Sequence, residues 1–316
     1  MVLDSIAAAV QWLWASLEAL DIDYLAWVLW VLYPIIISFL LPLVILVFIY
    51  ASALFLHCYR YRHRLREAYQ HDFWDGARNT LAVLWDGQGY IWHGFEIQGL
   101  DNIPENGPAL IIYYHGVIPI DIYYVMAKCL LEKGRMIHAV GDRFLFRIPG
   151  WRLLMEVFNV SPGTVHSCVE VLNQNNVLAI APGGVREALF GDETYSLMWG
   201  KRYGFAKVAL QANVPIIPMF TENCREAFRT PSWGRVWLRK IYEATRLPIV
   251  PIYGLFPVKL ITHFGEPIYP EPGMTPEDCK ELVEKHMEEL IRQHQRVPGS
   301  ITKAILQRFP LKLKNR

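Results

Sequence analysis

One histidine and one aspartate interrupt an apolar, aromatic stretch of the chain, YYHGVIPIDIYY at residues 113–124. Asp121 lies six residues after His115, beyond a turn that contains Gly116 and Pro119. A carboxylate that holds one ring nitrogen of an imidazole as a donor leaves the other nitrogen free to accept a proton. The spacing therefore predicts a general base, His115, oriented by Asp121. The alternative is a hydrogen-bonded core histidine followed by a helix N-cap aspartate.

A glycine-rich turn follows another apolar run, in APGGVREALF at residues 181–190. Gly183 and Gly184 let a ligand approach the backbone, and their amides can face an anion or a developing oxyanion. Arg186 and Glu187 come directly afterwards. The alternative is a tight strand-to-helix turn with a surface Arg–Glu pair.

Several other features of the sequence argue against particular classes of function. His138 and Asp142, in HAVGD, form another His–Asp pair, to which we assign a structural role. No GxSxG sequence occurs, which argues against a serine hydrolase. The five cysteines are dispersed without zinc-ligand spacing and argue against a disulfide framework, so we expect a reducing, cytosol-facing compartment and no metal. A net charge of +1 without a basic patch argues against nucleic-acid binding.

Both reactive motifs follow predicted strands of an α/β domain. Short apolar runs alternate with helical patterns, which is typical of a mostly parallel sheet flanked by helices. The predicted strands are ALIIYYH (109–115), MIHAV, VLAIA, VPIIPMF, LPIVPIYGLF and LITHFG. The predicted helices are DIYYVMAKCLLEKG closing at Gly134, TVHSCVEVLNQNN capped by Thr164, WGKRYGFAKVALQAN, and TPEDCKELVEKHMEELIRQHQ capped by Thr275. In such sheets ligands bind beyond the carboxyl ends of the strands, where both motifs lie.

Four blocks occur in a fixed order: GPALIIYYHGVIPID, GDRFLFRIPG (141–150), LAIAPGGVREALF and VPIIP (214–218). In order and spacing they resemble the glycerolipid acyltransferase superfamily, the PlsC-like enzymes, over roughly residues 95–295. Those enzymes carry a His–Asp motif, a GxxFxxR-type block, a PEG-type block and a VPxxP strand. The resemblance implies a PlsC-like α/β fold and acyl transfer, with His115 as the catalytic base and Asp121 as its partner.

Two departures from the superfamily pattern carry information, the first about Asp121 as the partner of His115 and the second about the expected substrate. Five residues separate His115 from Asp121, where the superfamily has four. Gly183 stands where the PEG-type block has its glutamate, as in enzymes of the diacylglycerol acyltransferase 2 type, which acylate neutral glycerides. The run KRYGFAKVAL (201–210) and the TEN at residues 221–223 are similar to blocks of the same branch.

The resemblance implies a mechanism and a set of substrate contacts. His115 takes the proton of an acceptor hydroxyl, the oxygen attacks the acyl carbonyl of a thioester, and CoA leaves. The amides near Gly183 and Gly184, or another donor, would stabilise the oxyanion. Arg147, Arg186 and Glu187 are the further candidates for substrate binding. No cofactor is expected to be bound, and acyl-CoA is the expected co-substrate.

The expected product is diacylglycerol or triacylglycerol, made from a neutral glyceride acceptor. Alternatives are a lysophospholipid acyltransferase, a transacylase that uses a phospholipid as acyl donor, and a non-catalytic lipid-binding scaffold. The apolar side chains around the His–Asp pair are expected in the core, with some lining an acyl channel: Ile112, Tyr113, Tyr114, Ile120 and Tyr123. The resemblance also implies the endoplasmic reticulum membrane.

The N-terminal part predicts insertion in that membrane. Tyr24 to Leu56 comprises 33 residues without a charge, and a span needs about 20. Pro34 and Pro42 favour a re-entrant hairpin over one tilted helix. Acidic side chains precede the segment and the basic run RYRHRLR (60–66) follows it, which predicts that the catalytic domain faces the cytosol. The arginines of this run either fix topology alone or also contact anionic headgroups.

We therefore expect four parts along the chain. Residues 1–23 form an interfacial amphipathic helix, and residues 24–57 form the transmembrane or re-entrant segment. Residues 58–94 form basic juxtamembrane connector helices, and residues 95–316 form the acyltransferase domain. The expected partners are the lipid bilayer, an acyl donor and a glyceride acceptor.

Overall fold

The computed structural model describes residues 8–12, 15–16, 24–63, 74–245 and 248–309. The first two stretches are helical. The rest of the predicted interfacial helix at 1–23, with its acidic side chains, lies outside the described residues. The side chains of the basic run at 60–66 also lie outside them.

A seven-stranded sheet forms the centre of the α/β domain. Its strands are β1 (Glu96–Gln98), β2 (Ala109–Tyr113), β3 (Ile137–Gly141), β4 (Val160–Pro162), β5 (Val177–Ile180), β6 (Ile216–Glu222) and β9 (Ile261–Phe264), in the spatial order β1-β9-β6-β2-β5-β3-β4. The five strands from β6 to β4 run parallel, whereas β9 runs antiparallel to β6 and pairs with β1 at the edge. The predicted fold class, a mostly parallel sheet flanked by helices, is confirmed.

The central strand β2 is buried along its whole length, because it has strands on both sides and helices on both faces. Its side chains alternate between two hydrophobic clusters, as the period of two in a strand requires. Ile111 and Tyr113 join one cluster, and Leu110 and Ile112 join the other. The chain leaves this strand at the centre of the sheet, directly before His115.

Eleven described helices of α type connect or flank the strands. They are α1 (Tyr24–His63), α2 (Asp75–Gln88), α3 (Ile120–Lys133), α4 (Trp151–Val157), α5 (Val165–Asn173), α6 (Gly184–Phe190), α7 (Gly204–Ala212), α8 (Cys224–Ala227), α9 (Arg235–Thr245), α10 (Pro276–His294) and α11 (Ile301–Arg308). The predicted ends hold where the capping chemistry is explicit. Thr164 accepts the backbone N–H of Ser167, Thr275 accepts that of Asp278, and Gly134 closes α3 in the left-handed conformation.

Two predicted elements are shorter in the structure. The run LPIVPIYGLF supplies only the two-residue strand β8 (Tyr253–Gly254), paired antiparallel with β7 (Phe228–Arg229). Its prolines, Pro248 and Pro251, have no N–H to donate to a ladder. The helix predicted over 199–213 begins only at Gly204, because a turn closed by the Arg202 N–H and the Trp199 carbonyl precedes it.

The apolar N-terminal segment is one helix of 40 residues, α1, which continues through Pro34 and Pro42. The expected hairpin is therefore wrong. The stretch Leu25–Leu56 is long and apolar enough to cross a membrane. Each proline removes one intrahelical hydrogen bond, but a helix satisfies the remaining backbone groups internally, which an apolar environment demands.

The two halves of α1 have different surroundings. Residues 25–40 include no buried side chain. From residue 42 onward one face packs on the domain, through Pro42, Ile45, Ile49 and Leu56 at helical spacing. The second half of α1 is thus both a continuation of the apolar helix and part of the hydrophobic core.

The connector predicted over residues 58–94 is divided in the structure. Residues 58–63 end α1, and a π-helical turn, Gly89–His93, follows α2. Leu81 and Trp85 of α2 are buried in the same hydrophobic cluster as Ile111 and Tyr113 of β2. This helix is therefore a packed part of the domain.

Candidate active site

Two cavities meet at His115, beyond the carboxyl end of β2. One is apolar, has a volume of about 660 Å³ and is walled on one side by α1. The other is polar and has a volume of about 590 Å³. Tyr113, Asp142 and Phe144 also line both cavities. Each volume is in the range of ligand pockets, about 300–1,000 Å³.

The imidazole of His115 is held by its own backbone loop. Nδ1 lies 2.6 Å from the carbonyl oxygen of Gly116. A carbonyl only accepts, so Nδ1 carries the proton in the neutral ring and Nε2 is left as an acceptor. Burial lowers the pKa of His115 to about 4; the Gly116 carbonyl opposes this shift, and the positive charge of Arg225 adds to it. The ring is therefore neutral at cytosolic pH and can accept a proton through Nε2.

Asp121 does not hydrogen-bond to His115, because Nδ1 of the histidine already donates to Gly116. The carboxylate lies in the first turn of α3 and is buried. Among the described residues, neither of its oxygens has a hydrogen-bond partner of good geometry. Burial raises the pKa of Asp121 to about 6, and interactions with Thr221 and nearby backbone N–H groups partly oppose the rise. The structure thus buries Asp121 in the first turn of α3, outside the lining of both cavities, and does not pair its carboxylate with His115.

Glu187 contacts the protein and not the cavities. Its Oε2 accepts the backbone N–H of His115 at 3.0 Å, and its Oε1 accepts that of Met198 at 3.0 Å. Burial raises the pKa of Glu187, and these hydrogen bonds lower it in part. The structure does not show the predicted substrate contact of Glu187; the carboxylate fixes the backbone of His115 instead.

The PGG turn makes room for that carboxylate. A Cβ on Gly183 would lie 2.3 Å from Cδ of Glu187, so a side chain at 183 would collide with it. Gly184 has φ +49°, in the left-handed region that favours glycine, and its amide already donates to Ala181 at 3.1 Å. The Gly184 N–H, predicted as an oxyanion donor, is therefore engaged.

Arginines line the polar cavity, but they are not all those predicted. Arg147 does line it, together with Arg143 and Arg202. Arg186 does not; its Nη2 lies 3.9 Å from Oε1 of Glu243 on α9. Sequence reasoning missed Arg202, although it stands in the KRYGF run that was noted as a motif. Its Nη1 donates to the carbonyl oxygen of Gly183 at 2.6 Å, which ties the arginine to the PGG turn.

A buried arginine, Arg225, supports the loop from the other side. Its guanidinium donates to the carbonyl oxygen of Glu187 and, at 3.5 Å, to that of His115. Its Nε donates to the hydroxyl of Tyr114. Arg225 lies two residues after the TEN segment, the nearest motif in the sequence. Two buried charged side chains thus hold the backbone of His115: Glu187 accepts its N–H, and Arg225 donates to its carbonyl oxygen.

The remaining predicted residues divide between core and cavity. Tyr113 and Tyr123 line the apolar cavity, whereas Ile112, Tyr114 and Ile120 are buried in the core. His138 lies outside both cavities, with its Nε2 3.5 Å from Nδ2 of Asn159. Asp142, the other member of the HAVGD pair, lines both cavities, and its Oδ1 accepts the backbone N–H of Phe144.

One cluster in the described part of the chain has metal-ligating side chains, at Glu222, His263 and His294. Their possible ligand atoms lie within 4.8 Å of one another. The rings of the two histidines stack at 3.6 Å with an angle of 15° between their planes. A metal ion lies near the plane of each imidazole that binds it, and two parallel planes this far apart do not share such a point. Nε2 of His263 pairs with Oε1 of Glu222 at 2.5 Å instead.

Comparison with known proteins identifies the family of this chain. The family model described as Acyltransferase matches residues 94–222. A human protein named "DGAT1/2-independent enzyme synthesizing storage lipids" is 50% identical over 94% of this chain and 91% of its own length. The Gallus gallus protein of the same name is 47% identical, over 95% of this chain and 91% of its own.

More distant relatives share part of the chain or the fold. The mouse "Diacylglycerol O-acyltransferase 2-like protein 6" is 24% identical over 68% of this chain and 72% of its own. The crystal structure of the 1-acyl-sn-glycerophosphate acyltransferase PlsC from Thermotoga maritima superposes with a TM-score of 0.51 at 14% identity. It covers 78% of this chain and 96% of its own, which shows a common fold.

Proposed function

Because the chain belongs to the PlsC-like acyltransferases, in the family of storage-lipid-synthesising enzymes that includes transmembrane protein 68, we propose that it acylates the free hydroxyl of mono- or diacylglycerol. The products would be diacylglycerol and triacylglycerol. The observation that carries the proposal is the position of His115, where an apolar cavity and a polar cavity meet. A glyceride hydroxyl and an acyl carbonyl can reach one imidazole there while their hydrocarbon chains stay out of water.

The proposed reaction needs no covalent enzyme intermediate. Nε2 of His115 takes the proton of the acceptor hydroxyl as the oxygen attacks the carbonyl carbon of the thioester. The carbon–sulfur bond breaks, CoA leaves as the thiol after taking up that proton, and the new ester stays in the lipid phase. Holding both reactants beside the base supplies much of the rate through proximity.

The arginines of the polar cavity support acyl-CoA as the donor. Arg143, Arg147 and Arg202 bring three positive charges to one cavity. Guanidinium groups bind phosphate through paired, charge-assisted hydrogen bonds, and CoA carries several phosphates. In this arrangement the acyl chain occupies the apolar cavity, and the phosphates of CoA lie against the arginines.

The same cationic cavity supports a second candidate, acylation of a lysophospholipid. A phosphate on the acceptor would bind these arginines as well as one on the donor. We place the neutral acceptor first because the two most similar relatives reported above are named for storage lipids.

The experiment is a panel of acceptors and donors on the purified full chain in detergent. Monoacylglycerol, diacylglycerol and lysophosphatidate are each offered with radiolabelled acyl-CoA and, separately, with labelled phospholipid. We expect label in diacylglycerol or triacylglycerol from acyl-CoA, and its loss in His115→Ala. His166→Ala is the matched control, since His166 is an exposed histidine on α5. Transfer to lysophosphatidate alone would replace the proposal, and transfer unaffected by His115→Ala would remove its base.

We further propose that α1 anchors the enzyme in the endoplasmic reticulum membrane with the acyltransferase domain in the cytosol. The support is its long apolar stretch and the basic run that follows. Asn159-Val160-Ser161 is a sequon within the domain, although Pro162 after it weakens glycosylation. A cytosolic domain stays unglycosylated there in cells, also when Pro162 is replaced by Ala. A glycosidase-sensitive mass shift of Pro162→Ala would place the domain in the lumen.

A further inference from the structure

A short amphipathic helix beside the site presents its apolar face to the outside. On α9 and the turn before it, Trp233, Val236 and Trp237 lie on one face at helical spacing. They are exposed by 74%, 76% and 66%. Lys240 continues the same face and is also exposed. Two exposed indoles next to a lysine are typical of a helix that lies in the interface of a bilayer.

The opposite face of α9 packs on the wall of the cavities. Leu238 and Tyr242 belong to a hydrophobic cluster with Val250 and Ile252. Val250 and Ile252 line the apolar cavity, and Tyr242 lines the polar one. The exposed stripe is therefore the outer surface of a wall whose inner surface faces the substrates.

The same wall touches α1. The rings of Phe39 and Tyr253 lie 5.6 Å apart, and Phe39 lines the apolar cavity together with Pro248 and Val250. Ile249, between these last two, points outward and is 64% exposed. Ile249 and the α9 stripe thus add exposed apolar side chains to the wall that Phe39 of α1 contacts.

The length of the half of α1 that has no buried side chain fixes how far the bilayer reaches. Residues 25–40, which include no buried side chain, extend about 24 Å at about 1.5 Å per residue. The hydrocarbon core is about 30 Å thick, so this half alone is too short to cross it. The outward face of α1 stays apolar beyond residue 40, with Leu43, Val44 and Val47 all exposed. Lipid that covers these side chains lies at the level of Phe39 and of the wall it touches.

We propose that Trp233, Val236, Trp237 and Ile249 form a second membrane-contact surface, which lies in the interfacial layer of the bilayer that α1 enters. The inference rests on the proposed anchoring by α1 and deepens it. The surface of the acyltransferase domain contacts the bilayer directly, in addition to the contact made by α1. The apolar cavity, whose wall carries this surface on its outer side, then lies beside the lipid in which acyl chains and diacylglycerol reside. The partner is the lipid surface itself.

The test uses the full chain in phosphatidylcholine vesicles. Val236→Cys is labelled with an environment-sensitive fluorophore, and Glu281→Cys, an exposed position on α10, is the matched control. The unsubstituted chain, labelled in parallel, gives the background from native cysteines. We expect a blue-shifted emission at position 236 that lipids with a nitroxide on the acyl chain quench severalfold more strongly than at position 281. Aqueous iodide should give the reverse order.

Three outcomes would overturn the proposal. Equal lipid quenching at the two positions, or strong iodide quenching at 236, would place the α9 stripe in water. A blue shift that appears without lipid and grows with protein concentration would assign the face to a second copy of the chain. The readout does not involve acyl transfer, so a wrong substrate assignment would leave it unchanged.

A second arm measures what the surface does. Trp233→Ser combined with Trp237→Ser should lower acylation of vesicle-borne diacylglycerol severalfold, while acylation of a short-chain acceptor in detergent stays at the level of the unsubstituted chain. An equal loss in both assays would indicate damage to the fold and contradict a role in lipid access.

Discussion

The backbone N–H of His115 donates to Oε2 of Glu187, with 3.0 Å between the nitrogen and the oxygen, and this bond fixes the backbone of the proposed base. A glutamine keeps one acceptor oxygen but brings an amide N–H group against the other donor. We expect Glu187→Gln to lower kcat roughly 10–100-fold through displacement of the imidazole. It should also lower the free energy of unfolding by about 1–3 kcal/mol, because one buried N–H loses its partner. Steady-state kinetics and thermal melting measure the two effects.

Glu281→Gln, on the exposed face of α10, is the control for this substitution and should change neither quantity. An unchanged kcat with a lowered melting temperature would limit Glu187 to a structural role.

The buried, unpaired carboxylate of Asp121 predicts an opposite effect on stability. Burial raises its pKa to about 6 from an ordinary value of 3.8. Between about pH 4 and pH 6 the unfolded chain releases a proton that the folded chain retains, so stability falls as the pH rises through this window. Asp121→Asn should raise the free energy of unfolding at pH 7 by up to about 3 kcal/mol and have little effect at pH 4.

Denaturant unfolding at the two pH values, beside the surface control Asp101→Asn, measures this difference. We also expect Asp121→Asn to slow acyl transfer, since a carboxylate kept at such a cost is typical of a functional site. A variant of unchanged stability at pH 7 would show that the carboxylate is solvated or paired.

The pH dependence of the reaction follows from the environment of His115. The proposed base must be a neutral imidazole to accept a proton, and burial lowers the pKa of His115 to about 4. The value of kcat/KM, which reports the free enzyme, should therefore stay level as the pH falls from neutrality and decline only towards pH 4. Melting curves at each pH separate this loss from unfolding. An acid limb centred near 6.5, in the unsubstituted chain and in Asp121→Asn alike, would show an imidazole open to water.

The two arginines predicted from the sequence offer a matched pair. Arg147 lines the polar cavity, and Arg186 faces Glu243 instead. Arg147→Ala should raise KM for acyl-CoA about tenfold, the equivalent of about 1.4 kcal/mol, with a smaller change in kcat. Arg186→Ala should leave KM close to that of the unsubstituted enzyme. The reverse result would mean that the CoA phosphates bind on the α9 side of α6.

Neighbouring positions on α1 test the acyl cavity. Leu46 lines it, whereas Val47 is exposed on the outward face of the helix. Leu46→Trp should fill part of the cavity and shift the ratio of rates from long to short acyl-CoA donors, while Val47→Trp keeps the original ratio. Competition between C8 and C16 donors in one assay, analysed by mass spectrometry, gives this ratio directly. An equal effect of both substitutions would place the acyl chain elsewhere.

The sequence predicts the parts of this molecule that local chemistry determines. The apolar run before His115 predicts β2, and the caps at Thr164, Thr275 and Gly134 predict where helices begin and end. The order of the blocks predicts that the base and the PGG turn share one edge of the sheet. Each of these depends on neighbours in the chain or on the regular geometry of parallel strands.

The partners of the reactive groups depend on tertiary contacts and do not follow from spacing. A six-residue separation leaves His115 free to pair with Asp121 or with the carbonyl of Gly116, and the loop conformation decides for Gly116. The sequence predicts a substrate contact for Glu187, with a surface pair as the alternative, yet the missing side chain at Gly183 lets Glu187 turn inward. Arg225 reaches the same loop from a distant segment, and no local pattern reports that approach.

Only the second half of α1 contributes buried side chains to the domain, and this has a practical consequence for isolating the enzyme. Deleting α1 to obtain a water-soluble form would also remove Ile45, Ile49 and Leu56 from the hydrophobic core. The apolar cavity would lose one of its walls. Because α1 is both the proposed membrane anchor and one wall of the proposed acyl-binding cavity, we expect that no simple deletion gives an active protein free of detergent or lipid.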